Sequence, residues 1–423
     1  MSNLSYRFKG RLINHFSRRN IKYWLALATK TPVFNLLLNS KSDLMANQIR
    51  NYFGYCSFAE AYSGKKPVAW VNLFFPNELL YAIDYVPFLP EVAAALASGS
   101  NISSSLLEKS ESEWHSSDTC SFHRCAIGGA LTDYMPIPDM VITTTNLCDG
   151  AARSFFLCSK IYNKDFFTVD IPYYLNEESI KYVSSQFSEL TAKLCEISGR
   201  KFNIEKLRAV VRLSNEARKY IKKSNELRMA NPSPVSRFDG LAYILALTAS
   251  QGLREGVDIY KTLAGELEQK IKENEAAGKP KERLRLLWMH LKPYYSNKIM
   301  DMFINEYRAD VAFEEFNYIY WDEIDESDPF RGLAIKCLQN MGNGPVSRRI
   351  DVIKKLITDY QIDAVIHFSH WGCKQSIGAI RIIKEEISRM GIPFLSLDGD
   401  CVDSRNYSEG QYRTRIEGFF ETI

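Results

Sequence analysis

AVIHFSHWGCKQSIGAIRIIKEEISRMGIPFLSLDGDCVDSRN, from Ala364 to Asn406, reads as strand, cysteine, helix, strand, acidic turn, cysteine. AVIHFSH and IPFLSLDGD are short apolar runs suited to buried strands, and the segment between them is long enough for a helical crossover. That order builds a parallel α/β layer. Cys373 stands where the first strand hands over to the helix, and Cys401 stands beyond the second strand. A thiolate at a helix N-terminus lies among free backbone N–H groups, which suits a metal or an electron-rich sulfur centre better than simple packing.

Working outward, the same plan recurs. RLRLLWMH reads as a strand, SNKIMDMFINEY as a helix and ADVAFEEF as a strand, and a final helix is expected from Ser408. With DAVIHFSH and IPFLSLDGD this makes four strands with intervening helices, a doubly wound sheet. Earlier, PVAWVNLFF (Pro67–Phe75), PDMVITTTN (Pro138–Asn146) and FFTVDIP (Phe166–Pro172) read as three strands. Pro76 or Asn77 would cap a helix starting at Glu78 within PNELLYAIDYVPFLPEVAAALAS, and AARSFFLCSKIY is a further helix. Residues 1–60 look helical, as does the chain from Asn176 to about Met229, where NPSPVSR (Asn231–Arg237) breaks it. The expected organisation is a helical segment 1–65, a first α/β lobe 66–235 with a helical extension, and a second α/β lobe 236–423, the two similar lobes flanking a cleft.

Bulk properties narrow the class. The chain has 423 residues, 46% hydrophobic and 24% charged, enough for two or three domains with their own cores. A net charge of +3, with basic and acidic residues interleaved, gives no footprint for nucleic acid. The best apolar run, LAYILALTA (Leu241–Ala249), is less than half of a bilayer span, so no membrane anchor is expected. The first twenty residues are basic without acidic ones, a pattern shared by transit peptides and basic amphipathic helices; the ordinary composition that follows favours the helix. Nine scattered cysteines and no secretion signal imply reduced thiols in the cytoplasm.

Three cysteines share one context. Cys148 follows PDMVITTTNL and opens a helix, Cys373 follows DAVIHFSHWG and opens another, and Cys120 heads SFHRCAIGGAL. Ligands of open α/β sheets collect outside the carboxyl ends of the strands. Two readings stay open from the residues alone: an iron–sulfur cluster gripped by Cys120, Cys148 and Cys373 between the lobes, or three inert buried thiols. There is no C-x-x-C pair, which removes zinc ribbons, ferredoxin runs and thioredoxin motifs. Cys125 lies five residues after Cys120, about 140° around a helix and on the wrong face. Cys401 is either a fourth ligand or a small residue in a tight turn. His123 and His370 are either proton donors at the site or imidazoles satisfied by backbone carbonyls. Cys158, Cys195 and Cys337 sit in helical patterns and are assigned to packing. GNGPVSRR (Gly342–Arg349) offers glycines and arginines but not the spacing of a phosphate loop.

The stretch HWGCKQSIGAIRIIKEEISRMGIPFLSLDGDCVDSRNYSEGQYRTRIEGFFE resembles the C-terminal part of the 2-hydroxyacyl-CoA dehydratase family, which includes core subunits of ATP-dependent benzoyl-CoA reductases. DTCSFHRCAIGGAL, TTTNLCDGAAR and PVAWVNLFFPNELLYAIDYVPFLPE resemble its other segments, so the match runs from about Lys66 to the end. The resemblance implies two flavodoxin-like lobes with a helical N-terminal part, and a [4Fe–4S] cluster on Cys120, Cys148 and Cys373, with Cys401 an open possibility as a further ligand. It implies a dimer with a related subunit, or a homodimer, and an iron–sulfur activator that hydrolyses ATP to deliver one electron. The reaction implied is radical elimination of water from a 2-hydroxyacyl-CoA through a ketyl, giving a 2-enoyl-CoA. Alternatives within the resemblance are a benzoyl-CoA reductase-type subunit, a double-cubane-cluster reductase, and an electron-relay subunit without substrate contact.

Overall fold

Among the described residues, eight strands divide into two sheets of identical topology, and the reason lies in where the apolar runs fall. A computed structural model describes residues 44–113, 115–234, 240–278 and 284–423. The helices expected before residue 44, the end of the breaker at 235–237 and Arg283 lie outside the described residues.

The described chain enters through α1 (Met45–Ser63), which ends on Gly64 in the left-handed region. Then come β1 (Val68–Trp70), α2 (Glu78–Ala82), β2 (Val86–Phe88) and α3 (Pro90–Gly99). Helices α4 (Ser103–Ser112) and α5 (Ser121–Leu131) precede β3 (Met140–Thr144), α6 (Asp149–Tyr162) and β4 (Asp165–Val169). Two long helices, α7 (Glu177–Ser198) and α8 (Ile204–Leu227), are followed by α9 (Gly240–Ala249) and α10 (Arg254–Ala276). The second sheet unit holds β5 (Leu284–Met289), β6 (Ala309–Glu314), α11 (Pro329–Leu338), α12 (Val346–Asp359), β7 (Ala364–His370), α13 (Lys374–Ile377), α14 (Ile380–Ser388), β8 (Phe394–Gly399) and α15 (Glu409–Phe420).

Every strand pairing is parallel, in the orders β2-β1-β3-β4 and β6-β5-β7-β8. Strands β1, β3 and β7 are buried along their whole length, as expected of parallel strands covered by helices on both faces. In each sheet the order reverses between the first and third strands of the unit, so each has a switch-point crevice: β1/β3 in one and β5/β7 in the other.

Three expectations are corrected by the structure. The first sheet has a fourth strand, Val86–Phe88, inside a stretch read as helix; it is three residues long with Pro87 in the middle, which only a sheet edge tolerates. SNKIMDMFINEY forms one short helical turn, Ile299–Asp301, that widens into a π turn over Met302–Glu306. The helix from Lys374 stops at Ile377 and restarts at Ile380.

The lobes are interwoven. Leu106, Phe122 and Cys125 from the first half pack in one core with Trp288, Ile366, Phe368 and Cys401 of the second sheet. In return, Trp321, Leu333 and Leu338 join the core built on β1, α7 and α8. The helix that begins after Cys120 therefore runs along the seam between the sheets.

Candidate functional site

Each of the three cysteines occupies the residue before a helix: Cys120 before α5, Cys148 before α6 and Cys373 before α13. Backbone conformation delivers two of them in the same way. Leu147 has φ +69° and Gly372 has φ +76°, so in both lobes a left-handed residue turns the chain from the strand end to the thiol. For Leu147, which has a Cβ, this is a strained conformation of the kind that collects at functional sites. At Gly372 a side chain is also excluded by space: an added Cβ would lie 2.5 Å from the backbone nitrogen of Cys120.

The three thiols line one cavity of about 110 Å³ at the carboxyl ends of β1, β3, β5 and β7. A histidine faces each. His370 Nε2 is 3.3 Å from Cys120 Sγ, His123 Nε2 is 3.2 Å from Cys148 Sγ, and His290 Nε2 is 3.6 Å from Cys373 Sγ. Cys148 Sγ also accepts the backbone N–H of Ala151 at 3.3 Å. Burial pushes the thiols up, Cys148 and Cys373 to about 11 and Cys120 well above its ordinary value; neighbouring thiols add to the effect at Cys120 and Cys373, and Glu91 and Asp149 add to it at Cys148. Free N–H groups at a helix N-terminus favour the thiolate and so lower such values. The N–H groups here do act in that direction, but desolvation outweighs them.

The imidazoles are pushed the other way by the same burial: His123, His290 and His370 are all lowered, so they are neutral near pH 7. Glu91, at the start of α3, faces the same cavity; desolvation raises its carboxyl, partly offset by His123 and by the backbone N–H groups of Glu91 and Leu73. Glu91 Oε2, His123 Nδ1, His290 Nδ1 and both side-chain amide atoms of Asn146 are buried in this cavity wall without a hydrogen-bond partner. Buried polar atoms left open at a cavity point to something that would complete them.

Two buried ion networks hold the walls. Arg124, 1% exposed, pairs with Glu111 and lies 3.8 Å from Asp400 and 3.6 Å from Asp403, tying α5 to the turn after β8. Arg349 pairs with Glu315, 2.8 Å from Nη2 to Oε2; Glu315 accepts the N–H of His290, and Arg349 donates to the carbonyl of Gln375. At the rim, Lys374 and Asp149, the residues after Cys373 and Cys148, form an ion pair at 2.9 Å between lobes.

The remaining residues singled out in the sequence fall elsewhere. Strand β8 does neighbour β7, and Cys401 follows it, but the Cys401 side chain is fully buried in the core shared with Phe368 and Leu397; its backbone N–H donates to His370 Nδ1 at 3.1 Å. Cys125 lies in that same core, Cys158 and Cys337 lie in two others, and Cys195 packs against the last. In GNGPVSRR, Gly342 and Arg349 border the cavity, Arg348 binds the carbonyls of Leu338 and Asn343, and Arg349 is held by Glu315, so both arginines are already engaged by the protein. Sequence reasoning missed His290, Glu91 and Asn146. His290 follows β5 in lobe two as Asn72 follows β1 in lobe one, a correspondence that signals it only once both strand ends are known.

A larger cleft of about 1400 Å³ adjoins this cavity and shares Val92, Ala95 and Tyr294 with it; Arg50, Lys66 and Lys292 are on its walls.

Residues 72–423 match the family model described as 2-hydroxyglutaryl-CoA dehydratase, D-component. The chain belongs to that family. It is therefore related to enzymes of the hydro-lyase kind, with reductases among the relatives. It is 27% identical over 381 residues to the (R)-phenyllactyl-CoA dehydratase alpha subunit of Clostridium sporogenes, covering 86% of this chain and 91% of that one. It is 26% identical over 398 residues to the (R)-2-hydroxyisocaproyl-CoA dehydratase alpha subunit of Clostridioides difficile, covering 90% and 95%. A benzoyl-CoA reductase subunit of Thauera aromatica is 27% identical over 394 residues, covering 85% and 89%. Among the described residues of this family member, no helix is long and apolar enough to cross a membrane.

Proposed function

We propose that this chain is the iron–sulfur subunit of a 2-hydroxyacyl-CoA dehydratase, holding a [4Fe–4S] cluster on Cys120, Cys148 and Cys373. The observation that carries the reading is the meeting in one cavity of three thiols from two lobes, each on the residue before a helix.

The donor set fits such a group. Among the described residues no three His, Cys, Asp or Glu side chains are close enough to hold a single metal ion, whereas three thiols spread around a cavity suit a cube whose irons are themselves separated. The raised thiol pKa values mean that loading the site releases protons, and the neutral imidazoles and the Ala151 N–H would then donate to the sulfurs. Cys401 is left out of the ligand set because its side chain is in a core.

When bound, the cluster would supply a low-potential electron, delivered by an ATP-hydrolysing iron–sulfur activator, and an iron without a cysteine ligand. The protein's own groups do the rest. The adjoining cleft, with Arg50, Lys66 and Lys292, would take the phosphate-bearing CoA portion and pass the thioester by Val92, Ala95 and Tyr294. Glu91, its carboxyl raised by burial and with one oxygen free, would take the proton lost from the β-carbon and return it to the departing hydroxyl. The apolar walls exclude water from a radical substrate. The balance is one 2-hydroxyacyl-CoA to one 2-enoyl-CoA and one water, with the electron returned. A related subunit as partner and a cytoplasmic, anaerobic setting belong to the same reading.

Likeness to the benzoyl-CoA reductase subunit of Thauera aromatica favours a second reading, reduction of an aryl-CoA. Co-produced, anaerobically reconstituted protein with its partner subunit and activator, offered both thioester classes, tests the two. Formation of 2-enoyl-CoA with catalytic rather than stoichiometric reductant supports dehydration. Two electrons consumed per aryl-CoA supports the reductase, and turnover of neither overturns both.

A further inference from the structure

We propose that His370 is a fixed N–H donor to the Cys120 sulfur and thereby sets the reduction potential of the group held by the three cysteines. The inference rests on the cluster reading given above and adds a role for an imidazole that does not touch substrate.

The assignment comes from the backbone. His370 is the last residue of β7, in register with Gly399 of β8, and Trp371 donates its N–H to the carbonyl of Gly399 at 2.8 Å. That register brings the N–H of Cys401 to within 3.1 Å of His370 Nδ1. A backbone N–H can only donate, so Nδ1 is the lone-pair nitrogen and the ring proton of the neutral imidazole sits on Nε2. Nε2 points at Cys120 Sγ from 3.3 Å. The ring is 1% exposed and is held on two sides, edge-on by Phe122 at 5.4 Å and stacked on His290 at 6.2 Å. His123 and His290 lack this restraint, since Nδ1 of each has no partner. Among the three cysteine-facing imidazoles, His370 is the one whose tautomer the fold dictates.

An N–H donor withdraws charge from a thiolate and stabilises the more negative, reduced state of the group it ligates, which moves the potential upward. No change of protonation is involved. The arrangement also gives Cys401 a job done by its main chain, independent of its thiol.

The test is a redox titration with dithionite and mediators, followed by electron paramagnetic resonance, on the anaerobically reconstituted full chain. His370→Phe should shift the potential to more negative values, His370→Gln, which can present an amide N–H in place of Nε2, should recover much of that shift, and Cys401→Ala should leave the wild-type value. A His370→Phe protein with a full cluster and an unchanged potential overturns the proposal, as does a His370→Gln protein as negative as His370→Phe. If His370→Phe assembles no cluster, protein labelled with 15N-histidine decides: a nitrogen coupling present in the wild type and lost in His370→Gln supports the donor, and an unchanged coupling pattern overturns it. A wild-type chain that takes up no iron and sulfide overturns the cluster reading itself, and this inference with it.

Discussion

Gly372 packs directly on the backbone of Cys120, so closely that a methyl group at Gly372 would stand 2.5 Å from the Cys120 nitrogen and 2.8 Å from its Cα. Residues more than two hundred and fifty positions apart in the chain are thus in van der Waals contact through main chain alone. The contact brings the thiol that opens α13 beside the thiol that opens α5.

Gly372→Ala is accordingly expected to be severe. The left-handed conformation at φ +76° costs a residue with a Cβ about 1–2 kcal/mol, before the clash is counted. Thermal unfolding should show a lower Tm, and iron content after reconstitution should fall with it. A variant with wild-type iron content would show that the two thiols do not depend on this contact.

Arg124→Met should destabilise the chain by about 3–5 kcal/mol, because it removes the buried cation beside Asp400 and leaves Asp403 with Arg405 alone. Urea unfolding measures it. Exposed pairs are a control: Lys374→Ala at the rim, where Lys374 and Asp149 are both largely solvated, should cost no more than about 1 kcal/mol.

His367 sets an acid limit. It is fully buried between Ser396 and Ser376, and burial, helped by Arg349, lowers it to about 4 from an ordinary 6.5. Between these values the unfolded chain binds the proton and the folded chain does not, so stability rises as pH rises from about 4 to 6.5 and is lost on acidification. The full effect is about 3 kcal/mol. His367→Gln should flatten this part of the pH–stability curve, and an unchanged slope would remove His367 from the account.

Glu91→Gln keeps the shape of the side chain and removes its proton chemistry. Turnover of the assembled enzyme should drop by roughly 10²–10⁴-fold while iron content stays at the wild-type level. Loss of iron with loss of turnover would instead make Glu91 part of the cavity's architecture.

Much of this was legible in the sequence for a physical reason: strands buried on both faces must be continuous apolar runs, and AVIHFSH, MVITT and LRLLWM announce themselves. The edge strand VPF did not, since three residues around a proline carry no periodicity. The helix-opening position of the three cysteines was readable, because each follows a strand or turn and precedes a helical pattern. Glu91 and His290 were not, because an acid at the head of an apolar helix and a histidine after a strand look like ordinary surface residues until the second lobe covers them. The direction of the thiol shifts was also hidden, being a contest between helix N–H groups and desolvation that only burial decides.

Iron and acid-labile sulfide per chain, counted after anaerobic reconstitution in the wild type and a cysteine panel, test the central claim most directly. The account predicts about four of each in the wild type, their loss in Cys120→Ala, Cys148→Ala and Cys373→Ala, and their retention in Cys195→Ala, Cys337→Ala and Cys401→Ala. A colourless, iron-free wild type would contradict it, as would eight irons per chain or a panel in which the core cysteines matter as much as those lining the cavity.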